Sequence, residues 1–145
     1  MTSSFLTAYY QDIQKFIRTS EKVLITKNAI YAEIEHKAHS MGESIHTMFP
    51  RKQGDVLDKI IAHTKSTGIW TIGREKLAER TGCSVRTVAN AVRSIKDTEM
   101  FIVARQANDH AGKYIFVLKS HPNFKRILRD VFFLSEKEWH DMKKN

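Results

Sequence analysis

Residues 71–95 read TIGREKLAERTGCSVRTVANAVRSI, and this stretch decides the fold, because it describes two short helices separated by one tight turn. The first, REKLAERT, sets Leu77 and Ala78 on one side and charged residues on the rest. Gly82 ends it, since glycine enters the left-handed backbone region that such a turn requires. Ser84 is placed to cap the next helix, its hydroxyl accepting from a free first-turn amide. In that second helix Val85, Val88, Val92 and Ile95 recur at three- and four-residue spacing and predict one buried stripe. Arg86, Thr87, Asn90, Arg93 and Ser94 occupy the remaining surface, all with hydrogen-bonding groups suited to a polar, anionic partner.

Working outward, residues 55–65 (DVLDKIIAHTK) predict a preceding helix with Val56, Leu57, Ile60 and Ile61 inward. Gly68-Ile69-Trp70-Thr71-Ile72 predicts a short strand. On the other side, FIVAR (101–105) and KYIFVL (113–118) read as two strands joined by the polar loop Asn108-Asp109-His110-Ala111-Gly112, a β-hairpin. At the N-terminus, Phe5, Leu6, Tyr9, Ile13, Phe16 and Ile17 fit a helix from Ser3 to about Thr19, with Ser3 or Ser4 as cap. A second helix is expected over about 21–41, with a short strand or break near Thr26 left open by KVLIT. Gly42 and Pro50 to Gly54 punctuate the chain. After Pro122, residues 123–133 predict an amphipathic helix, and residues 135–144 a last short one capped by Ser135 and Glu138.

The order helix, short strand, helix, turn, helix, hairpin over about 55–118 resembles the winged helix-turn-helix of bacterial DNA-binding proteins, under half of the chain. The spacing Glu75-x-Leu77-Ala78-x-x-x-Gly82-x-Ser84-x-x-Thr87-Val88 carries the resemblance. One departure stands out: such proteins often place glycine just before the first wing strand, and here Glu99-Met100 occupies that place. By element order alone, the flanking helices are also similar to those of dimeric regulators of the multiple-antibiotic-resistance type. The expected fold class is therefore mainly α with a small β-hairpin. Three segments are expected: 1–49 helical, for dimerisation or packing; 50–121 the winged helix-turn-helix; 122–145 helical.

The resemblance implies that the helix at 84–97 enters the major groove of double-stranded DNA. Arg86 and Asn90, four apart, share a face; arginine matches the paired acceptors of guanine and asparagine the acceptor and donor of adenine. Arg93, a turn further on, is better placed for phosphate. Ser84 and Thr87 flank the helix start, where free amides favour an anion. Thr71, Arg74 and Lys76, around the start of the first motif helix, are candidate backbone contacts. Arg105 and Lys113, with Gln106, Asn108 and His110, form a polar wing for the flanking groove or its phosphates.

Composition agrees. The 145-residue chain carries a formal charge of +8, 41% hydrophobic and 28% charged residues, enough to bury a core and to attract polyanions. Its one cysteine, Cys83, excludes an internal disulfide and a thiolate metal cage, and suits a reducing cytoplasm. The first residues have no signal-peptide pattern, and no run of about 18 apolar residues predicts a membrane span. Glu35, His36, His39 and His46 form a loose cluster without a second metal-ligand pair, so no metal is expected, nor any cofactor. Glycine-rich phosphate loops, nucleophile elbows and paired acids are lacking, which argues against an enzyme.

Aromatic residues crowd both ends of the chain: Phe5, Tyr9, Phe16, Phe124, Phe132, Phe133 and Trp139. A winged helix of about 65 residues cannot cover them all, so the terminal helices either fold back or join two chains. A homodimer on a palindromic site is the favoured expectation. The leading expectation is a cytoplasmic, nucleoid- or plasmid-associated transcriptional regulator. A replication or segregation protein of a plasmid or phage is the alternative, and a protein-docking module, with RNA polymerase as an example partner, is a third.

Overall fold

The computed structural model describes residues 5–17, 23, 25–108 and 112–142. In chain order these form β1 (Leu6–Ala8), α1 (Tyr10–Ile17), α2 (Lys27–Ser40), α3 (Ile45–Met48), α4 (Lys52–Thr67), β2 (Ile69–Ile72), α5 (Arg74–Thr81), α6 (Val85–Asp97), β3 (Phe101–Gln106), β4 (Tyr114–Leu118), α7 (Phe124–Asp130) and α8 (Glu136–Asp141). The chain is mixed α/β, where a mainly α fold with one hairpin was expected. The predicted hairpin is present, but as the centre of a four-stranded sheet of order β1-β3-β4-β2.

β3 and β4 pair antiparallel, from Phe101 opposite Leu118 to Arg105 opposite Tyr114. β2 adds antiparallel to the free side of β4, with Ile72 opposite Tyr114. β1 adds parallel to β3, with Leu6 opposite Ala104. Side chains alternate between sheet faces, and here both faces are covered. On one face Phe101, Val103, Tyr114, Phe116 and Leu118 join α2, α4, α5 and α6 in a core that includes Ile34, Leu57, Ile60, Leu77, Val92 and Ile95. On the other, Ile102, Ala104, Ile115 and Val117 meet Ile13, Phe16, Phe124, Ile127, Phe132 and Trp139 from α1, α7, the turn after it and α8. That is why β4 is apolar at every position instead of alternating.

Residues 6–8 form a strand where a helix was expected from Ser3 onward. The 3.6-residue pattern holds only from Tyr10, where α1 begins; before it, Ala8 and the partly buried Leu6 pack on the second core and Phe5 on the first. The expected caps Ser3 and Ser4 lie outside the described residues. α2 starts at Lys27, after the break foreseen near Thr26, whose hydroxyl accepts from the Ala29 amide at 3.1 Å. α4 begins three residues earlier than expected, at Lys52.

Gly68, between α4 and β2, has φ +78°, and a Cβ there would lie 2.4 Å from the His121 ring and 2.8 Å from Val23. Only glycine lets these segments approach so closely. The exit from α6 runs through Glu99, which itself takes the left-handed conformation, φ 58°, a conformation that glycine adopts most readily. Its carboxylate is paired with Lys37 of α2 and His140 of α8. Burial pushes the Glu99 carboxyl up, but the Lys37 hydrogen bond and charge, with those of His140, outweigh it and hold the group below its ordinary range.

The terminal aromatics are accounted for inside one chain. Phe16, Phe124, Phe132 and Trp139 are all buried, and Trp139 meets Phe124 edge-on with ring centroids 5.3 Å apart. Of the two expected arrangements, these four residues follow the fold-back one, because they cover the back of the sheet, and they give no ground for the favoured second chain. Phe133 and Tyr9 are the exceptions: Tyr9 is 47% exposed, and Phe133 is 81% exposed and sits at φ 57° between α7 and α8. No described helix is long and apolar enough to cross a membrane.

Candidate nucleic-acid interface

α5 ends at Gly82, φ 67°, whose amide reaches back to the last carbonyls of the helix. Ser84 then starts α6, its Oγ accepting from the Thr87 amide at 3.1 Å and lying 3.0 Å from Thr87 Oγ1. Both hydroxyls are thus committed to the cap, Ser84 exposed and Thr87 half-buried at the helix start. α6 buries Val88, Ala91, Val92 and Ile95. Val85 was expected on that stripe and is instead 36% exposed. The buried face is completed by Ala91, and Val85 falls on the flank turned toward the hairpin.

At about 100° per residue, Arg86, Asn90 and Arg93 project within roughly 60° of one another, opposite the buried stripe. Arg93 Nη1 donates to Asn90 Oδ1 at 3.2 Å, which fixes the Asn90 amide and leaves its NH2 group as the outward donor. Arg86 and Arg93 are exposed, and Asn90 is half-buried. Asp97, exposed at the end of α6, shares this ridge and would repel a phosphate, so an anionic partner is best met by the first three turns.

Thr71 lies on β2 and Arg74 and Lys76 in the first turn of α5, whose cap Gly73 offers no side-chain bond to the free amides. Together with Trp70, Glu75, Glu79, Arg80 and Lys113 they line a groove of about 480 Å3. Trp70 is partly buried in it, stacked on His63 with centroids 4.1 Å apart and an interplanar angle of 8°. Burial, helped by Arg80 and Lys59, holds the His63 imidazole below its ordinary pKa. The register of β2 and β4 sets Lys113 beside Gly73; a Cβ on Gly73 would be 3.9 Å from Lys113 Cγ. Lys113 therefore stands opposite Gln106 at the loop end of the hairpin, its carbonyl accepting from the Gln106 amide, on the side of the wing loop turned toward Gly73. Asp109, His110 and Ala111, the centre of that loop, lie outside the described residues.

Arg105 departs from the expected outward wing. Its guanidinium folds over Tyr114 and Phe5, 5.6 and 5.7 Å from the ring centroids, and Nε donates to the Gly112 carbonyl at 3.4 Å. This places it in a second cleft, between the hairpin and α6, lined also by Arg74, Val85, Ala89, Arg93 and Lys96. Arg80, Lys96, Trp70, Phe5 and Tyr114 are among the lining residues not expected at the site from the sequence. Lys96 follows Arg93 by three residues on the helix and was legible from spacing; Phe5 was not, since its position depends on β1 joining the sheet.

The distribution of ion pairs separates this surface from α7 and α8. On α7 and α8 the cations are paired: Lys125 with Glu136, Arg126 and Arg129 with Asp130, and Lys137 with Asp141. Lys27 and Lys52 pair with Asp58 and Asp55. Among the described residues, none of these pairs involves Arg74, Lys76, Arg80, Arg86, Arg93 or Arg105. These six cations thus keep their charge on α5, α6 and the adjoining hairpin face, as Lys15, Arg51, Lys59 and Lys65 do elsewhere on the surface. Cys83, partly buried, has its sulfur 3.1 Å from Thr81 Oγ1. No group of three described His, Cys, Asp or Glu side chains could hold a metal ion; His39 and Glu35 approach to 3.8 Å as a simple pair. No known protein family, curated protein or solved structure matches the chain.

Proposed function

We propose that the chain is a winged helix-turn-helix protein that binds double-stranded DNA sequence-specifically, with α6 in the major groove. One observation carries the reading: Arg86, Asn90 and Arg93 form an outward ridge on a capped helix, flanked by arginines that no described carboxylate neutralises. In this arrangement Arg86 and the Asn90 amide meet base edges. Arg74 and Lys76 at the start of α5, and Lys113 beside them, meet backbone phosphates and set the register. The role that follows is transcriptional regulation.

The burial of the terminal aromatics on the sheet favours a second role within the same chemistry. A helix-turn-helix dimer needs an apolar surface to join its halves, and α1, α7 and α8 bury most of theirs within the chain. Single chains on direct repeats, as in replication or segregation proteins of plasmids and phages, would need no such surface. The deciding experiment is capture of fragmented genomic and plasmid DNA by the purified protein, followed by sequencing. Enrichment of one short motif supports sequence-specific binding, with palindromes pointing to a dimeric regulator and direct repeats to the second role. Recovery of fragments at their input frequencies would overturn the proposal.

A further inference from the structure

The cleft between α6 and the hairpin has a volume of about 230 Å3. We propose that it is a binding site for a phosphate group, gripped by Arg74, Arg93 and Arg105 above a floor made by Phe5 and Tyr114. The three arginines come from α5, α6 and β3, so the fold alone brings them together. No carboxylate lines the cleft, in contrast to the neighbouring groove, which contains Glu75 and Glu79. Like charges gathered in a partly enclosed space repel one another, and an anion between them removes that repulsion.

Their convergence is visible at Tyr114. Burial pushes the Tyr114 phenol up, while Arg105, Arg74 and Arg93 each pull it down, so all three guanidinium groups lie within electrostatic reach of one ring. Two of them are held in place beforehand. Arg105 is fixed by the Gly112 carbonyl and the two ring faces, and Arg93 by Asn90. Less side-chain freedom is then lost when an anion arrives. Lys96, 5.3 Å from the Phe5 centroid, adds a fourth positive charge to the lining.

Three guanidinium forks carry more donors than the two oxygens of a carboxylate can accept, whereas phosphate presents three or four oxygens in a tetrahedral array. The volume is below the roughly 300–1,000 Å3 of sites that enclose a whole drug-sized ligand. The group bound is therefore a phosphate with little attached inside the cleft, the rest of its molecule extending outward. A backbone phosphate of nucleic acid and the terminal phosphate of a small metabolite share this chemistry. The inference goes beyond the DNA reading, since a phosphate site exists in the free protein whether or not α6 reads bases.

Calorimetric titration of the full chain with inorganic pyrophosphate at low salt tests it. One saturable site per chain is expected, weakened about tenfold or more by Arg93→Gln and by Arg105→Gln. Lys65→Gln, which removes one charge from exposed α4 surface, should leave it unchanged. Absence of a saturable site, or equal weakening by Lys65→Gln, would overturn the proposal. Should Arg105→Gln melt early, Arg93→Gln still decides, because Arg93 is exposed. Displacement of pyrophosphate by duplex DNA of arbitrary sequence assigns the site to backbone phosphate. Displacement by a nucleoside diphosphate but not by duplex assigns it to a free phosphate compound.

Discussion

Trp139→Ala separates a chain whose terminal helices complete its own core from one whose terminal helices join two chains. Trp139 is 6% exposed, packs edge-on against Phe124, and belongs to the cluster behind the sheet with Ile102 and Ile115. Removing a buried tryptophan side chain costs about 3–5 kcal/mol. α8 is only six residues long, so it can relax around the void, which favours the lower figure of about 3 kcal/mol. For a chain of this length each kcal/mol lowers the melting temperature by about 3–4 °C, giving a loss of about 10 °C. Phe133→Ala is the matched control: its ring is exposed, and its removal should change stability by less than about 0.5 kcal/mol. Thermal unfolding followed by circular dichroism at two protein concentrations, with sedimentation of the same samples, reads both effects. A Trp139→Ala protein that melts with the parent but changes its association state would refute the reasoning, because Trp139 would then lie between chains.

Glu99→Gln should destabilise the protein most at neutral pH and progressively less in acid. The Glu99 carboxyl is held below its ordinary range in the fold, so its contribution is fully present above the unfolded value and is lost as pH falls through the folded one; denaturant midpoints from pH 7 downward check this, and a pH-independent difference would contradict it. Gly68→Ala should cost more than the ~1 kcal/mol of a strained turn alone, since its Cβ would collide with His121 and Val23, and a melting temperature within about 3–4 °C of the parent, or about 1 kcal/mol, would show that these segments move apart easily. Arg86→Ala and Asn90→Ala should each cost about 1–3 kcal/mol on the specific DNA site and relax discrimination at particular base pairs, whereas Lys113→Ala should weaken all sequences alike. Competition binding with specific and random duplexes distinguishes them, and equal losses for all three variants would place the wrong face of α6 in the groove.

The central helices were legible because their signals are local. Gly82 and Ser84 fix the turn and the cap within three residues, and Val88, Val92 and Ile95 mark the buried side of α6 without reference to any other element. What the sequence concealed was the far side of the sheet. FIVA and YIFVL are apolar at consecutive positions, the mark of strands covered on both faces, yet a hairpin accounts for only one covering layer. The second layer comes from residues more than a hundred positions apart, such as Ile13 and Trp139. β1 was hidden for a related reason: three residues are too few for alternation to be told from helical spacing. At the site, the positions of Arg86, Asn90 and Arg93 follow from helix geometry and were readable in advance. The inward turn of Arg105 was not, because the ring on which it rests, Phe5, reaches it only through the β1–β3 pairing. Glu99 shows the limit of motif matching. Its left-handed backbone does the work of a glycine, and its side chain ties α2 to α8, a contact between segments that the motif does not include.

The salt dependence of duplex binding tests the central claim most directly. With about four to six phosphates contacted per chain by side chains such as Arg74, Lys76 and Lys113, log affinity should fall with log salt with a slope of about −4 to −5 per bound chain. Fluorescence anisotropy with a short labelled duplex across about 50–200 mM salt measures it, a range over which affinity should drop by about two to three orders of magnitude. A slope near zero, or affinity that does not depend on salt at all, would contradict the account: the arginines left unpaired on α5, α6 and the hairpin would then not be facing a nucleic acid.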